Sequence, residues 1–104
     1  MKIGLVLQPF TDENMRLAAQ LGATDLVMGM PAGDYADLAL LKSRVKDAGL
    51  QFSVIEGLVP MNEAVMGTEG RDAEIEAFKR GLDKMGAAGI GVLCYNFMWW
   101  TSGL

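Results

Sequence analysis

The chain contains no histidine. Histidine is the commonest general base and the commonest metal ligand. Its absence excludes a Ser-His-Asp or Cys-His arrangement within these 104 residues. A metal site would have to draw on carboxylates, asparagine or Cys94. Cys94 is the single cysteine and cannot close an internal disulfide, which fits a reducing compartment. No apolar run reaches the length of about 18 residues that a membrane span needs. The short run Ile3 to Leu7 is followed at once by polar residues and is too short for a signal peptide, so a cytoplasmic location is expected. Positive charge is also in deficit. The net charge of −4 argues against nucleic acid or an anionic membrane as a partner.

What is present describes a folded domain. Hydrophobic residues make up 51% and charged residues 21%, too apolar a balance for a disordered chain. No linker or composition break divides residues 1–104, so a single domain is expected.

Three times the chain alternates a short apolar run with a capped, striped, glycine-stopped segment. Ile3 to Leu7 reads as strand one. Thr11 is a good helix N-cap, with Asp12 and Glu13 in the first turn, and the helix predicted from Asp12 to Leu21 stops at Gly22. Leu26 to Met28 reads as strand two. Asp34 is placed to cap a second helix whose apolar stripe is Leu38, Leu41, Val45 and Ala48, closed by Gly49. Phe52 to Ile55 reads as strand three, ending on Glu56. Gly57 to Gly70 is a long connection, and connections of this length often carry function. A third helix from Arg71 or Asp72 has the stripe Ile75, Phe78, Leu82 and Met85. Gly86, Gly89 and Gly91 then lead into a fourth strand at Val92, a continuous apolar run that reads as buried on both faces.

The order βαβαβαβ predicts an α/β fold with a parallel sheet and right-handed crossovers. It could be an open flavodoxin-like sheet or half of a (β/α)8 barrel, which takes about 250 residues when complete. Open sheets usually carry a glycine-rich phosphate loop after strand one. Here Gln8-Pro9-Phe10 stands there, which favours the half-barrel.

In parallel α/β folds the C-terminal strand ends face the site. Those positions are Gln8, Met30, Glu56 and Asn96, with Tyr95 alternating to the other side of strand four. Glu56 could act as general base or ligand anchor, or could cap a loop or pair with Arg71. Asn96 offers two donors and an acceptor beside aromatics, which suits a polyol or a carboxylate, or satisfies loop backbone. Arg71 could grip an anion in bidentate fashion or brace its loop. Cys94 lies within an apolar run and reads as a buried small hydrophobe. Trp99 and Trp100 could wall a pocket or anchor an interface.

The run Cys94-Tyr95-Asn96-Phe97-Met98, preceded by Arg71-Asp72-x-x-Ile75-Glu76 and Gly-Ile-Gly-Val-Leu, resembles the first half of mannonate dehydratases, of the xylose-isomerase-like TIM-barrel superfamily. Ser53-Val54-Ile55-Glu56 with Pro60 is similar to that family's third strand and loop. The resemblance implies a lyase of hexuronate catabolism that dehydrates D-mannonate to 2-dehydro-3-deoxy-D-gluconate with Mn2+ or another divalent metal. In the family the metal ligands, two histidines among them, come from later strands, so none is expected for this chain alone. What matches is one wall of a sugar-acid pocket: Glu56, Arg71 and Asn96 as substrate-binding residues. The chain is expected to be an N-terminal half-barrel, a fragment or a truncated member, inactive by itself. Alternative readings are a non-catalytic half-barrel that forms a homo-oligomer through its open sheet edges, a sugar isomerase- or epimerase-like barrel fragment, and a small flavodoxin-like binder.

Overall fold

The computed structural model describes residues 1–31 and 37–98. In chain order it holds β1 (Gly4–Val6), α1 (Asp12–Gln20), β2 (Asp25–Met28), α2 (Leu38–Asp47), β3 (Gln51–Glu56), α3 (Asn62–Met66), α4 (Arg71–Ala87) and β4 (Val92–Cys94). The helix ends follow from local chemistry. The Thr11 hydroxyl accepts the Asn14 N–H at 3.1 Å and starts α1. Asp37 caps α2, its carboxylate accepting the Ala39 and Leu40 N–H groups, each at 3.0 Å. The expected cap, Asp34, lies outside the described residues. Gly22, Gly49 and Gly89 follow their helices with φ of 95°, 89° and 68°, where a side chain would strain the backbone.

All four strands are parallel, in the order β1-β2-β3-β4. A doubly wound sheet reverses direction after its first unit. Here every crossover advances one strand the same way, and with right-handed crossovers this places the helices on one face. That excludes the flavodoxin-like arrangement. The fold is α/β and resembles the first half of a (β/α)8 barrel.

The register separates the two faces. Leu5, Leu26 and Phe52 form one row; Met28, Ile55 and Leu93 form another. Both rows turn toward the helices, where Leu26, Phe52 and Ile55 are buried with Met15, Leu41, Val45 and Met85. The intervening row is Val6, Val27, Val54 and Val92, one valine from each strand. This row lies on the uncovered face. Val6 and Val92, at its ends, are 53% and 52% exposed.

Three sequence expectations need correction. The fourth strand is not buried on both faces: Val92 and Cys94 are exposed, and Tyr95 and Phe97 after it are exposed as well. It is an edge strand, and its apolar composition suits a neighbour on the side away from β3 that the described residues do not supply. The connection from Gly57 to Gly70 contains a helix, α3, which ends on Gly67 at φ 70°. Glu74 of α4 supplies its missing cap, accepting the Ala64 N–H at 2.9 Å. Finally, the α4 stripe is only half buried. Gly81 and Met85 are buried and Phe78 half-buried, whereas Ile75 and Leu82 sit on an exposed flank.

The one buried charged residue among those described is Asp25. Its Oδ1 accepts the Ser53 hydroxyl at 2.5 Å and its Oδ2 the Thr24 hydroxyl at 2.5 Å. Thr24 Oγ1 in turn accepts the Ile3 N–H at 2.8 Å. Side chains thus tie β1, β2 and β3 together at their N-terminal ends. The Ser53 bond, then the Thr24 bond, hold the Asp25 carboxyl below its ordinary value of 3.8, against the opposing effect of burial and with help from Lys2. A lowered value means that the folded state binds this proton less readily than the unfolded state. The stabilisation is therefore full above the ordinary value and is lost as pH falls through the folded one. Asp25→Asn is expected to cost about 1–3 kcal/mol at pH 7 and to flatten the acid limb of stability. Urea unfolding at pH 7 and at pH 3 measures both, and an unchanged acid limb would assign that limb to other carboxylates.

Candidate functional site

At the C-terminal ends of the strands, β2, β3 and β4 are laced together through Gly57. Its carbonyl accepts the Met30 N–H at 3.3 Å, and its own N–H donates to the Cys94 carbonyl at 3.0 Å. The turn needs φ of 73° at this residue, which glycine supplies without strain. From there the chain runs through Leu58, Val59 and Pro60 into α3 and borders a cleft of about 390 Å³. The far wall is Phe78 of α4, and the mouth is formed by Tyr95, Asn96 and Met98.

The cleft is apolar with two amides, Asn62 and Asn96, and no charged side chain lines it. That composition accepts and donates hydrogen bonds to hydroxyls while an aromatic ring packs against carbon. Tyr95 and Asn96 both line it, although alternation predicted opposite sides. The strand ends at Cys94, and the backbone beyond it no longer alternates.

The other two predicted residues stand elsewhere. Glu56 is the last residue of β3, exposed, and in register with Cys94. It continues the side of the sheet that carries Val54, so it projects at the mouth of the uncovered face. Arg71 begins α4, exposed. Its Nη1 donates to the Gly67 carbonyl at 3.1 Å, and its Nε lies 3.6 Å from the Asp72 carboxylate. It therefore braces the turn between α3 and α4 and pairs with Asp72, not with Glu56. The structure brings Asn96 and Tyr95 into one cleft, sets Glu56 on the other face of the same strand ends, and leaves Arg71 outside both. Cys94 is exposed beside Glu56, not buried as its apolar context suggested. Trp99 and Trp100 lie outside the described residues. Among the described residues, no group of three His, Cys, Asp or Glu side chains is close enough to hold a metal ion.

The sequence reading missed Phe78 and Leu58. Phe78 reads as a core position, and its half-buried ring both packs against the core and lines the cleft. Leu58 is 5% exposed and presses against Gly81, the glycine within α4. A glycine interrupting an apolar helical stripe was the available signal for a close approach by another segment.

A parallel sheet ordered 1-2-3-4 with helices on one face and a cleft at the C-terminal strand ends matches part of a (β/α)8-barrel protein. The family model for D-mannonate dehydratase (UxuA) matches residues 11–102. The chain belongs to the mannonate dehydratase family. It is 36% identical over 94 residues to the mannonate dehydratase of Streptococcus suis strain 05ZYH33, covering 86% of this chain and 26% of that protein. It is 32% identical over 80 residues to that of Thermotoga maritima, covering 74% of this chain and 22% of that protein. The crystal structure of mannonate dehydratase from Streptococcus suis serotype 2 superposes with a TM-score of 0.76 at 33% identity, covering 94% of this chain and 30% of that one. The chain thus spans about a quarter of the length of these curated relatives.

The Leu58–Gly81 contact gives a test of how the cleft wall is held. A Cβ at position 81 would lie 2.7 Å from Leu58 Cγ and Cδ2. Gly81→Ala should gain about 1 kcal/mol in helix propensity but lose more to overpacking, about 1–3 kcal/mol, for a net loss. In a Leu58→Ala background the same change should become stabilising. Thermal unfolding of the four variants measures the sign reversal, and equal effects in both backgrounds would rule out the contact.

Proposed function

We propose that this chain supplies the N-terminal half-barrel of a mannonate dehydratase, a lyase that removes water from D-mannonate to give 2-dehydro-3-deoxy-D-gluconate. The observation that carries the reading is the combination of family membership with a strand-end cleft whose polar groups are amides. In this reading Asn96 holds substrate hydroxyls, Tyr95 and Phe78 pack against the carbon chain, and Glu56, on the uncovered face of the same strand ends, reaches the substrate from the barrel side. Arg71 acts at one remove, by holding the turn that carries the cleft wall.

Elimination of water from a sugar acid needs a base for the proton beside the carboxylate and an acid for the departing hydroxyl. The family reading adds a divalent metal such as Mn2+ that polarises the carboxylate. Among the described residues no three ligands converge, and in this reading the ion is held by parts of the family's barrel outside this segment. This chain contributes binding and orientation.

The uncovered valine row and the two exposed edge strands favour a second reading, in which two copies pair through these surfaces. Edges with unpaired backbone groups invite another strand, and a two-fold pairing would cover both valine rows at once.

Incubated alone with Mn2+ and D-mannonate, the purified chain should form no keto-deoxy acid. Co-expression with the remaining part of the Streptococcus suis enzyme should restore it, and turnover by the chain alone would overturn the reading. In the complemented enzyme Asn96→Ala should raise KM about 5- to 10-fold, the loss of one or two hydrogen bonds, with little change in kcat. Light scattering of the isolated chain separates self-association from monomer: a monodisperse monomer sinks the pairing.

A further inference from the structure

A second cleft, of about 690 Å³, opens at the opposite end of the sheet, below the N-terminal ends of β3 and β4. It exists because β4 begins late. Val92, its first residue, pairs with Val54, so Gln51, Phe52 and Ser53 have no β4 residue opposite them. The Gln51 N–H is spent on the Thr24 carbonyl, on the β2 side, at 2.9 Å. Backbone alternation then turns the Phe52 peptide toward the open side. The Gly89–Gly91 segment forms the other rim.

The charge in this cleft runs against that of the chain. The protein carries a net charge of −4, yet Lys2, Lys42 and Lys46 all line the cleft and no carboxylate does. Lys42 is fixed in place. Its Nζ donates to the Ala88 carbonyl at 2.6 Å and the Gly89 carbonyl at 3.3 Å, at the end of α4. Two of its three N–H donors are used there and one remains. A Cβ on residue 89 would come within 3.3 Å of that Nζ, so glycine leaves the ammonium its room. Lys2 and Lys46 are exposed. Ser43 and Gln51 add neutral donors. Ser53 donates its hydroxyl hydrogen bond to the buried carboxylate of Asp25.

We propose that this cleft binds a small multivalent phosphate-type oxyanion, such as a diphosphate or a phosphate ester. Three ammonium groups, one pre-positioned and two adaptable, match several oxygens carrying delocalised charge. The site lies at the end of the strands away from the sugar-acid cleft, so it is a separate site and not part of the dehydration pocket.

Titration calorimetry of the chain with sodium pyrophosphate and with inorganic phosphate, alongside amide NMR, tests the proposal. Saturable one-to-one binding is expected, tighter for pyrophosphate, with amide shifts concentrated at Ser43, Gln51, Gly89 and Gly91. Lys2→Gln with Lys46→Gln should weaken pyrophosphate by about tenfold or more, because charge-assisted bonds are lost. Lys79→Gln with Lys84→Gln removes the same net charge from α4 and should change affinity by less than about twofold. Both pairs change exposed side chains, and circular dichroism verifies that they fold. Equal weakening by the two pairs would reduce the effect to overall charge and overturn the site, as would absence of saturable pyrophosphate binding.

Discussion

A parallel sheet must be covered on both faces, and this chain covers one. The helices bury Leu26, Phe52 and Ile55 against Met15, Leu41 and Val45. The alternate row, Val6, Val27, Val54 and Val92, meets solvent. A valine side chain withdrawn fully from water contributes about 1.5–3 kcal/mol, so the half-exposed ends of this row leave part of that gain unrealised. The same constraint accounts for the exposure of Cys94, Tyr95 and Phe97, and for the bare flank of α4 at Ile75 and Leu82. These are not separate irregularities. Each is a position where the composition is written for a neighbour lying beyond β4, α4 or the concave side of the sheet.

The backbone plan was legible because its signals are local. Thr11 as cap, Gly22, Gly49 and Gly89 as stops, and the three-four-three spacing of α2 act within one or two helical turns, and each is found where it was expected. The fold class followed from alternation alone, and strand order then separated the half-barrel from the doubly wound sheet. What was not legible depends on groups distant in sequence. The cap of α3 comes from Glu74, ten positions from the N–H it accepts. Whether an apolar strand is buried depends on what lies beside it, so Val92 to Tyr95 read as a core strand and stand as an edge.

The candidate site shows the same division. Asn96 was found from its position at a strand end, and it does line a cleft. Glu56 has the position expected of it at the end of its strand, but it projects from the uncovered face, exposed, apart from the cleft that Asn96 lines. Arg71 was chosen for its charge, and the nearby Gly67 carbonyl and Asp72 carboxylate engage that charge first. Phe78 was hidden because an aromatic in a helical stripe has the same pattern whether it fills a core or walls a pocket. Membership of the mannonate dehydratase family, over about a quarter of the length of the relatives compared, gives these placements a frame: they stand at the strand ends of part of a barrel.

The Asp25 cluster fastens three strands at one end of the sheet, while the cleft lined by Asn62 and Asn96 opens at the other. Fastening and chemistry are therefore separated by the full length of a strand. Replacements among the residues that shape the cleft leave the hydroxyl–carboxylate clasp untouched, and the clasp does not constrain the shape of the cleft. A barrel segment built this way can change what its cleft accommodates in the course of descent without renegotiating how its strands are joined.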